Sequence, residues 1–279
     1  MIKHIVGIVG NGFVGQAHAF AFSPTNQVLV YDINSSKSSC SLEQVHRSDF
    51  VFVCVPTPMF EDGNQDISSL LNVFKHARPK PIYIIKSTIL PGTTELIKKK
   101  FKRIKIIFSP EFITEKSYKF DILNQSRIIF GGETKYINVL KKLYLERFKK
   151  HNFIITDSRT AEFIKYMNNS FFATKVSVMN EFKLLSDKIG CNWLDALNGF
   201  ASDDRIGRSH LNVPGPDGKI GYGGTCFPKD VCVLLEFAKT NKINLNTILG
   251  GWKTNLDIRP ERDWEKKIGR TITKKINKT

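Results

Sequence analysis

Residues Gly221 to Asp230, GYGGTCFPKD, set one thiol behind three glycines and ahead of Pro228, Lys229 and Asp230. Proline suits the first turn of a helix, so Cys226 falls just before a helix expected over DVCVLLEFAKTNK. That place, beside Lys229, stabilises a thiolate. The glycines leave the approach to the sulfur bare, and Asp230 is placed to hold a water or orient the thiol. A structural cysteine has apolar neighbours at core spacing, as Cys54 has in VFVCVP and Cys232 in VCVLL. Cys226 lacks that company and reads as a nucleophile. The competing reading is a cysteine packed beneath a glycine loop.

A second chemical feature lies in FIITDSRTAEFIKYMNNSFFATKVSVMNEFKLLSDKIG. This predicts a strand, an Asp157-Ser158 cap and one helix running to Gly190, a typical helix terminator. Such length suits a structural spine and a subunit interface. One face reads Ala161, Lys165, Asn169, Phe172, Val176 and Met179, so an ammonium and an amide share an apolar stripe. Burying them calls for a polar ligand or a carboxylate. The alternative is a lysine snorkelling at the helix edge and an asparagine bonded to backbone.

These groups need a scaffold, and the first half of the chain supplies a nucleotide-binding one. HIVGIVGNGFVGQAHAFAF reads as strand, glycine turn and helix, followed by a strand QVLVYD that ends in Asp32. In the turn Gly10-Asn11-Gly12-Phe13-Val14-Gly15, the first glycine permits the tight bend and the second lets backbone amides approach a pyrophosphate. The third allows close helix–strand packing, and the helix N-terminus favours the phosphates. Asp32 is spaced to accept from a ribose hydroxyl, which favours NAD, although Lys37 nearby keeps NADP open.

Apolar runs at 49–56, 81–88, 105–110 and 126–132 predict further buried parallel strands. They end in Pro56-Thr57-Pro58, Ser87-Thr88 and Ser109-Pro110-Glu111. In open α/β sheets ligands gather at such carboxyl ends, although these residue types also make ordinary turns. There is little room between Asp32 and Asp49 for a helix and another strand. The fold class is therefore α/β: an abbreviated Rossmann-type parallel sheet domain over 1–156. A helical dimerisation and substrate domain with the spine helix and cysteine loop follows over 157–279.

Length and composition agree with a globular chain of one or two domains. Lys and Arg number 42 against 26 Asp and Glu, a net charge of +16 that favours anionic partners but is mostly solvated surface. The five cysteines form no CxxC pair or metal-type spacing, so no metal is expected and free thiols in a reducing compartment are. No apolar run approaches membrane-spanning length and no signal-peptide pattern opens the chain. A cytoplasmic protein that uses neither membrane nor nucleic acid is expected.

Together GNGFVG, CVPTP, KSTILPGTT, SPEFITE, the Lys165/Asn169 pair, DDRIG and GYGGTCFPKD resemble the UDP-glucose/GDP-mannose dehydrogenases. The resemblance runs in order from HIVGIVG to NLDIRPERDW, and GGTCFPKD is its most specific element. It implies that a nucleotide sugar's C6 alcohol is oxidised to a carboxylate with NAD. Cys226 would capture the intermediate aldehyde as a thiohemiacetal, which becomes a thioester and is hydrolysed. Lys165 would stabilise the oxyanion with help from Asn169, Asp230 and Thr88 would hold the water, and Glu111 would act as acid and base. Pro56, Thr57, Ser87, Glu115 and Lys229 would join the cofactor site. Glu111, Phe112, Ile113 and Thr114 would line the substrate site with Arg205, which a partner subunit could supply. The loop through Tyr222 and Gly223 would close over the sugar, and the helix over 158–189 would form a homodimer. Family members usually continue into a nucleotide-recognising third domain, so the sequence is read as a short form.

Two other functions remain compatible with these residues. A β-hydroxyacid dehydrogenase of the 6-phosphogluconate type also pairs a Rossmann domain with a long helix bearing Lys and Asn, but needs no cysteine. A non-catalytic remnant would hold a dinucleotide or nucleic acid through its basic surface.

Overall fold

The computed structural model describes residues 3–148 and 151–273. The chain divides into two compact units, Met1–Thr57 with Asp66–Lys165, and Pro58–Gln65 with Tyr166–Thr279.

The first unit opens with β1 (Ile5–Val9), the glycine turn, α1 (Phe13–Phe22) and β2 (Gln27–Tyr31). Between β2 and the next strand there is only a 3₁₀ turn and the four-residue α2 (Leu42–Val45). The strand that follows, β3 (Phe50–Val53), pairs directly with β1. The outer strand that a doubly wound sheet places beyond β2 is thus absent, which is the expected abbreviation. Then come α3 (Ser68–Lys75), β4 (Ile82–Ile85), α4 (Thr93–Lys100), β5 (Lys105–Phe108) and α5 (Tyr118–Asn124). β6 (Arg127–Gly132), α6 (Thr134–Arg147) and β7 (Asn152–Thr156) complete a seven-stranded sheet of order β2-β1-β3-β4-β5-β6-β7.

One expectation is corrected here. The run at 126–132 is a strand, but β6 lies antiparallel to β5, joined through Ile107–Gly132 and Phe108–Gly131, and β7 follows β6 in parallel. An apolar run carries no direction. The seven-residue α5, about 10 Å long, stays near the start of α1, where Tyr118 Oη donates to Gln16 Oε1. The chain therefore never returns to the amino edge before β6 begins.

Strand residues alternate between two cores. Val6, Ile8, Phe50, Phe52 and Ile84 pack with Ala17, Ala21, Phe22, Leu140 and Tyr144 on one face. Val51, Val53, Tyr83 and Ile85 pack with Leu70, Phe74 and Ile97 on the other. β1, β3, β4 and β5 run parallel in the register Val9–Val53–Ile85–Phe108, so their carboxyl ends share one edge. The Pro56-Thr57, Ser87-Thr88 and Ser109-Pro110-Glu111 segments all leave from that edge.

α7 (Ser158–Ile189) is the predicted single helix. Asp157 caps it by accepting from Thr160 N at 2.9 Å, and Gly190 ends it at φ +75°. The second unit takes up α7 from Tyr166, with α8 (Trp193–Phe200), α9 (Phe227–Thr240) and α10 (Asn246–Ile258). Its cores are small. One joins Met179, Ala201, Leu211 and Val213, and another joins Ala173, Tyr222 and Val231 with Phe227 and Trp252. Met167, Phe171, Val178, Phe182, Leu185 and Ile189 of α7 are exposed at helical spacing. No helix among the described residues is long and apolar enough to cross a membrane.

Candidate active site

In the first unit the glycine turn has the shape that a dinucleotide needs. Gly10 sits at φ +94°, where a Cβ would lie 2.7 Å from the Cys54 carbonyl oxygen. A Cβ on Gly15 would stand 2.0 Å from Gly10 O, so only glycine lets α1 pack this closely. Beyond Gly12 there is open space, with no atom within 4 Å of where its Cβ would be. Gly12 is also the N-cap of α1, with no side chain capping the first turn and no acidic residue in it. An uncapped helix N-terminus behind a bare glycine fits a pyrophosphate. Asp32 lies at the end of β2 and is tied to the turn: Asn11 N donates to Oδ2 at 2.7 Å and Asn34 N to Oδ1 at 2.9 Å. A carboxylate has further lone pairs for a ribose hydroxyl. The residues present therefore fit a bound NAD.

Along the same edge, strand-end hydroxyls are used to tie loops together. Thr57 Oγ1 donates to Thr88 O at 2.7 Å, and Ser87 Oγ to Val55 O at 2.6 Å. Pro56 is exposed beside them. After β5, Glu111 is only 5% exposed. Its Oε2 faces Lys86 Nζ at 3.2 Å and His18 Nε2 at 3.4 Å, while Oε1 accepts from Phe112 N at 3.0 Å. Burial pushes the carboxyl up, but the Lys86 ammonium, helped by the hydrogen bond from Phe112 N, outweighs it and holds Glu111 below the usual carboxylate range. His18 is driven down to about 4, first by burial and then by Lys86, so its imidazole is neutral at pH 7. A carboxylate held in this form is placed to take up a proton first.

The main chain of Glu111 has another task. Its carbonyl oxygen accepts from Lys165 Nζ at 2.5 Å. The ammonium also stands 5.0 Å from the centre of the Phe112 ring, with the Arg127 guanidinium 4.6 Å from that centre. Ile113 packs partly into the first core. Thr114 N and Oγ1 both donate to Asp121 Oδ2 at 2.8 Å, and Glu115 is exposed.

In the second unit, Cys226 is the N-cap of α9, with Pro228 in the first turn, and it is exposed as the sequence required. Its sulfur lies 3.7 Å from the Thr225 hydroxyl. By contrast, burial pushes the Cys54 and Cys232 thiols up to about 12, as packing cysteines should be. Pro228 to Val231, the whole first turn of α9, are buried, and there Lys229 donates to Asp230 Oδ1 at 2.5 Å. Asn169 Nδ2 donates to the other oxygen, Oδ2, at 2.6 Å. Asn169, Asp230 and Lys229 thus form one buried chain, and a carboxylate answers the question raised by the amide on the apolar face of α7.

The glycine loop before Cys226 is clamped from below. Asn180 Oδ1 accepts from Gly221 N at 3.0 Å. Asn255 Oδ1 accepts from Tyr222 N at 2.7 Å, and Asn255 Nδ2 donates to Tyr222 O at 3.0 Å. Asp263 Oδ2 accepts from Gly224 N at 3.1 Å, and Arg259 Nε donates to Asp263 Oδ1 at 2.7 Å. Tyr222 is 5% exposed and packs against Phe227 and Trp252. It is therefore main chain, not the tyrosine ring, that this loop presents. A Cβ on Gly223 would stand 2.3 Å from Asp263 Oδ1, so the clamp needs glycine there. Arg205 is 89% exposed and engages Asp203 through Nε and Nη2. Its loop is anchored further on by His210, stacked 4.1 Å from Phe172 and 5.6 Å from Phe227. No group of His, Cys, Asp and Glu among the described residues could hold a metal ion.

Residues 37–148 match the NAD-binding domain of the UDP-glucose/GDP-mannose dehydrogenases, and residues 159–256 match the central domain of the same family. The chain belongs to this family. Its first unit carries the family's NAD-binding domain, and NAD is its cofactor. UDP-glucose 6-dehydrogenase of Campylobacter jejuni is 33% identical over 265 residues, covering 82% of this chain and 66% of that protein. The Rickettsia prowazekii enzyme of the same name is 36% identical over 222 residues, covering 76% of this chain and 50% of that protein. The chain thus spans about half to two thirds of these relatives' length. The structure of a UDP-glucose dehydrogenase from Pyrobaculum islandicum shares the fold, with a TM-score of 0.81 at 24% identity over 91% of this chain and 68% of that one.

Sequence reasoning missed Lys86, His18 and the clamp of Asn180, Asn255, Arg259 and Asp263. A signal existed for some of them. Lys86 ends the apolar run IYIIK, and Asn255 and Arg259 stand one helical turn apart in NLDIR. For His18, in an alanine-rich helix, there was none.

Proposed function

We propose that this protein is an NAD-dependent dehydrogenase that oxidises the C6 alcohol of a nucleotide sugar to the carboxylate, using Cys226 as covalent nucleophile. The observation that carries this reading is the presentation of Cys226. An exposed thiol caps α9 at the end of a glycine loop held at the backbone N–H groups of Gly221, Tyr222 and Gly224, while Cys232, within α9, is partly buried. Such a fixed thiol has no packing role.

Gly10 to Gly15 and Asp32 would hold NAD, with Pro56, Thr57, Ser87 and Glu115 completing the lip. NAD, when bound, takes the hydride in each of the two oxidations. The Cys226 sulfur attacks the aldehyde carbon left by the first oxidation, and the new C–S bond keeps the intermediate from escaping. The Lys165 ammonium, held by the Glu111 carbonyl, would stabilise the resulting alkoxide, and the Asn169 amide would assist it. After the second oxidation the carbon is a thioester. Water positioned by Thr88 and Asp230 attacks it, its proton passes to the Glu111 carboxylate, and the C–S bond breaks to release the acid and the Cys226 thiolate. Phe112, Ile113, Thr114, Tyr222, Gly223 and Arg205 would line the sugar site, Arg205 reaching a partner subunit. The exposed apolar stripe of α7 from Met167 to Ile189 supports a homodimer through that helix. The five free cysteines suit the cytoplasm.

The test is a panel of nucleotide sugars with NAD+, counting NADH formed per sugar consumed. Two equivalents with the wild type, and loss of acid product in Cys226→Ser, support the scheme. One equivalent, or undiminished acid formation by Cys226→Ser, sinks it.

A further inference from the structure

Lys86 is a charged residue that none of the chemistry above uses, yet it is 6% exposed at the carboxyl end of β4. An ammonium has three N–H donors. Here the ammonium meets three consecutive residues of the neighbouring strand end: it donates to Ser109 Oγ at 3.0 Å and Pro110 O at 3.4 Å, and it pairs by charge with Glu111 Oε2 at 3.2 Å. This tripod fixes both the side chain and the main chain of the segment that follows β5. The next carbonyl along that main chain is that of Glu111, which receives Lys165 Nζ, and the next ring is Phe112, which lies against the same ammonium. A buried charge is costly, and a methionine of similar volume would fill the space at no such cost. What methionine cannot do is make the two hydrogen bonds and the ion pair at once.

We infer that Lys86 is a positioning residue for Lys165, acting through Glu111: it holds the carbonyl that sets the direction and reactivity of that ammonium. The inference rests on the catalytic reading of Lys165, but its central link is a contact within the first unit that can be measured without turnover.

The experiment compares the full-length wild type with Lys86→Met and with the double variant Lys86→Met/Glu111→Gln. The double variant removes both members of the buried pair and keeps a folded chain for measurement if the single variant unfolds. Acetylation of Lys165 by trace acetic anhydride is followed by mass spectrometry from neutral to alkaline pH, relative to the exposed Lys99 of the same unit. In the folded variants Lys165 should label about tenfold faster than in the wild type at neutral pH, reflecting loss of a hydrogen bond to a charged group. Its labelling midpoint should move while that of Lys99 stays. Unchanged relative labelling of Lys165 in a folded variant overturns the inference. With an active sugar, kcat should fall at least tenfold in folded Lys86→Met and KM change little, the double variant being read by labelling alone because it lacks the Glu111 carboxylate; an equal loss in both would mark a general disturbance and overturn the role in catalysis. If no sugar supports turnover but Lys165 labelling shifts, the proposed function fails while the link from Lys86 to Lys165 stands.

Discussion

Asn169 Nδ2 and Asp230 Oδ2 meet at 2.6 Å inside the second unit, and Lys229 Nζ holds the other oxygen of the same carboxylate. All three residues are buried, so each is the compensation for the others. Removing the acid leaves an uncompensated ammonium, whereas removing the amide leaves the ion pair intact. Asp230→Ala should therefore cost about 3–5 kcal/mol of stability, and Asn169→Ala about 1–3 kcal/mol. Urea unfolding of the two variants checks the order; equal losses would mean that the ion pair is not what the helix contact rests on.

The cysteines should separate into two classes of reactivity. Cys226 and Cys191 are exposed, while burial drives Cys54 and Cys232 up to about 12. Iodoacetamide at neutral pH should modify the first two in the native protein and reach Cys54 and Cys232 only after unfolding. Peptide mapping over a time course reads this directly. Native labelling of Cys232 at the rate of Cys226 would contradict the packing described here.

Much of this site was legible because its signals are local. The glycine turn, Asp32, the α7 cap at Asp157 and the proline after Cys226 each depend on a few neighbouring residues, and local chemistry sets local backbone. What the sequence hid depends on strands and helices meeting. The direction of β6 turned on whether a short α5 crossed the sheet. The burial of Lys229 followed from the packing of the whole first turn of α9, and the ion pair at Glu111 joins residues 25 positions apart, 86 and 111. A lysine at the end of an apolar strand shows that a buried charge needs an answer, but not which carboxylate gives it.

The pH dependence of stability should contain two opposed contributions in one range. His18 is depressed from 6.5 to about 4 by burial, so its stabilisation is complete above 6.5 and is lost as pH falls toward 4. Glu162 is raised from 4.5 to about 7, chiefly by burial, although it accepts from Gly92 N and Thr94 N at the start of α4. A raised acid works in the other sense: its contribution is complete below 4.5 and is lost as pH rises toward 7. Each shift corresponds to roughly 3 kcal/mol, so the two slopes largely cancel between the unfolded values. His46, depressed to about 4 by burial, adds to the His18 side. Glu162→Gln should therefore make stability climb more steeply with pH across this range, by up to about 1.4 kcal/mol per pH unit. Urea midpoints across the range test it, and an unchanged slope would show that Glu162 titrates normally.

Gly12 and Gly15 divide cofactor binding from folding. A Cβ at Gly12 meets nothing within 4 Å and its φ is an ordinary −74°, so Gly12→Ala should cost about 1 kcal/mol or less, the difference between glycine and alanine at an N-cap. The methyl would nonetheless occupy the space where backbone must approach the pyrophosphate, so NAD affinity should fall by an order of magnitude or more. At Gly15 the added carbon would stand 2.0 Å from Gly10 O, and the helix must move away from the sheet at a cost of about 3 kcal/mol. Calorimetric titration with NAD and thermal melts of both variants separate these effects. If Gly12→Ala binds NAD as the wild type does, the open face of the turn is not where the phosphates lie.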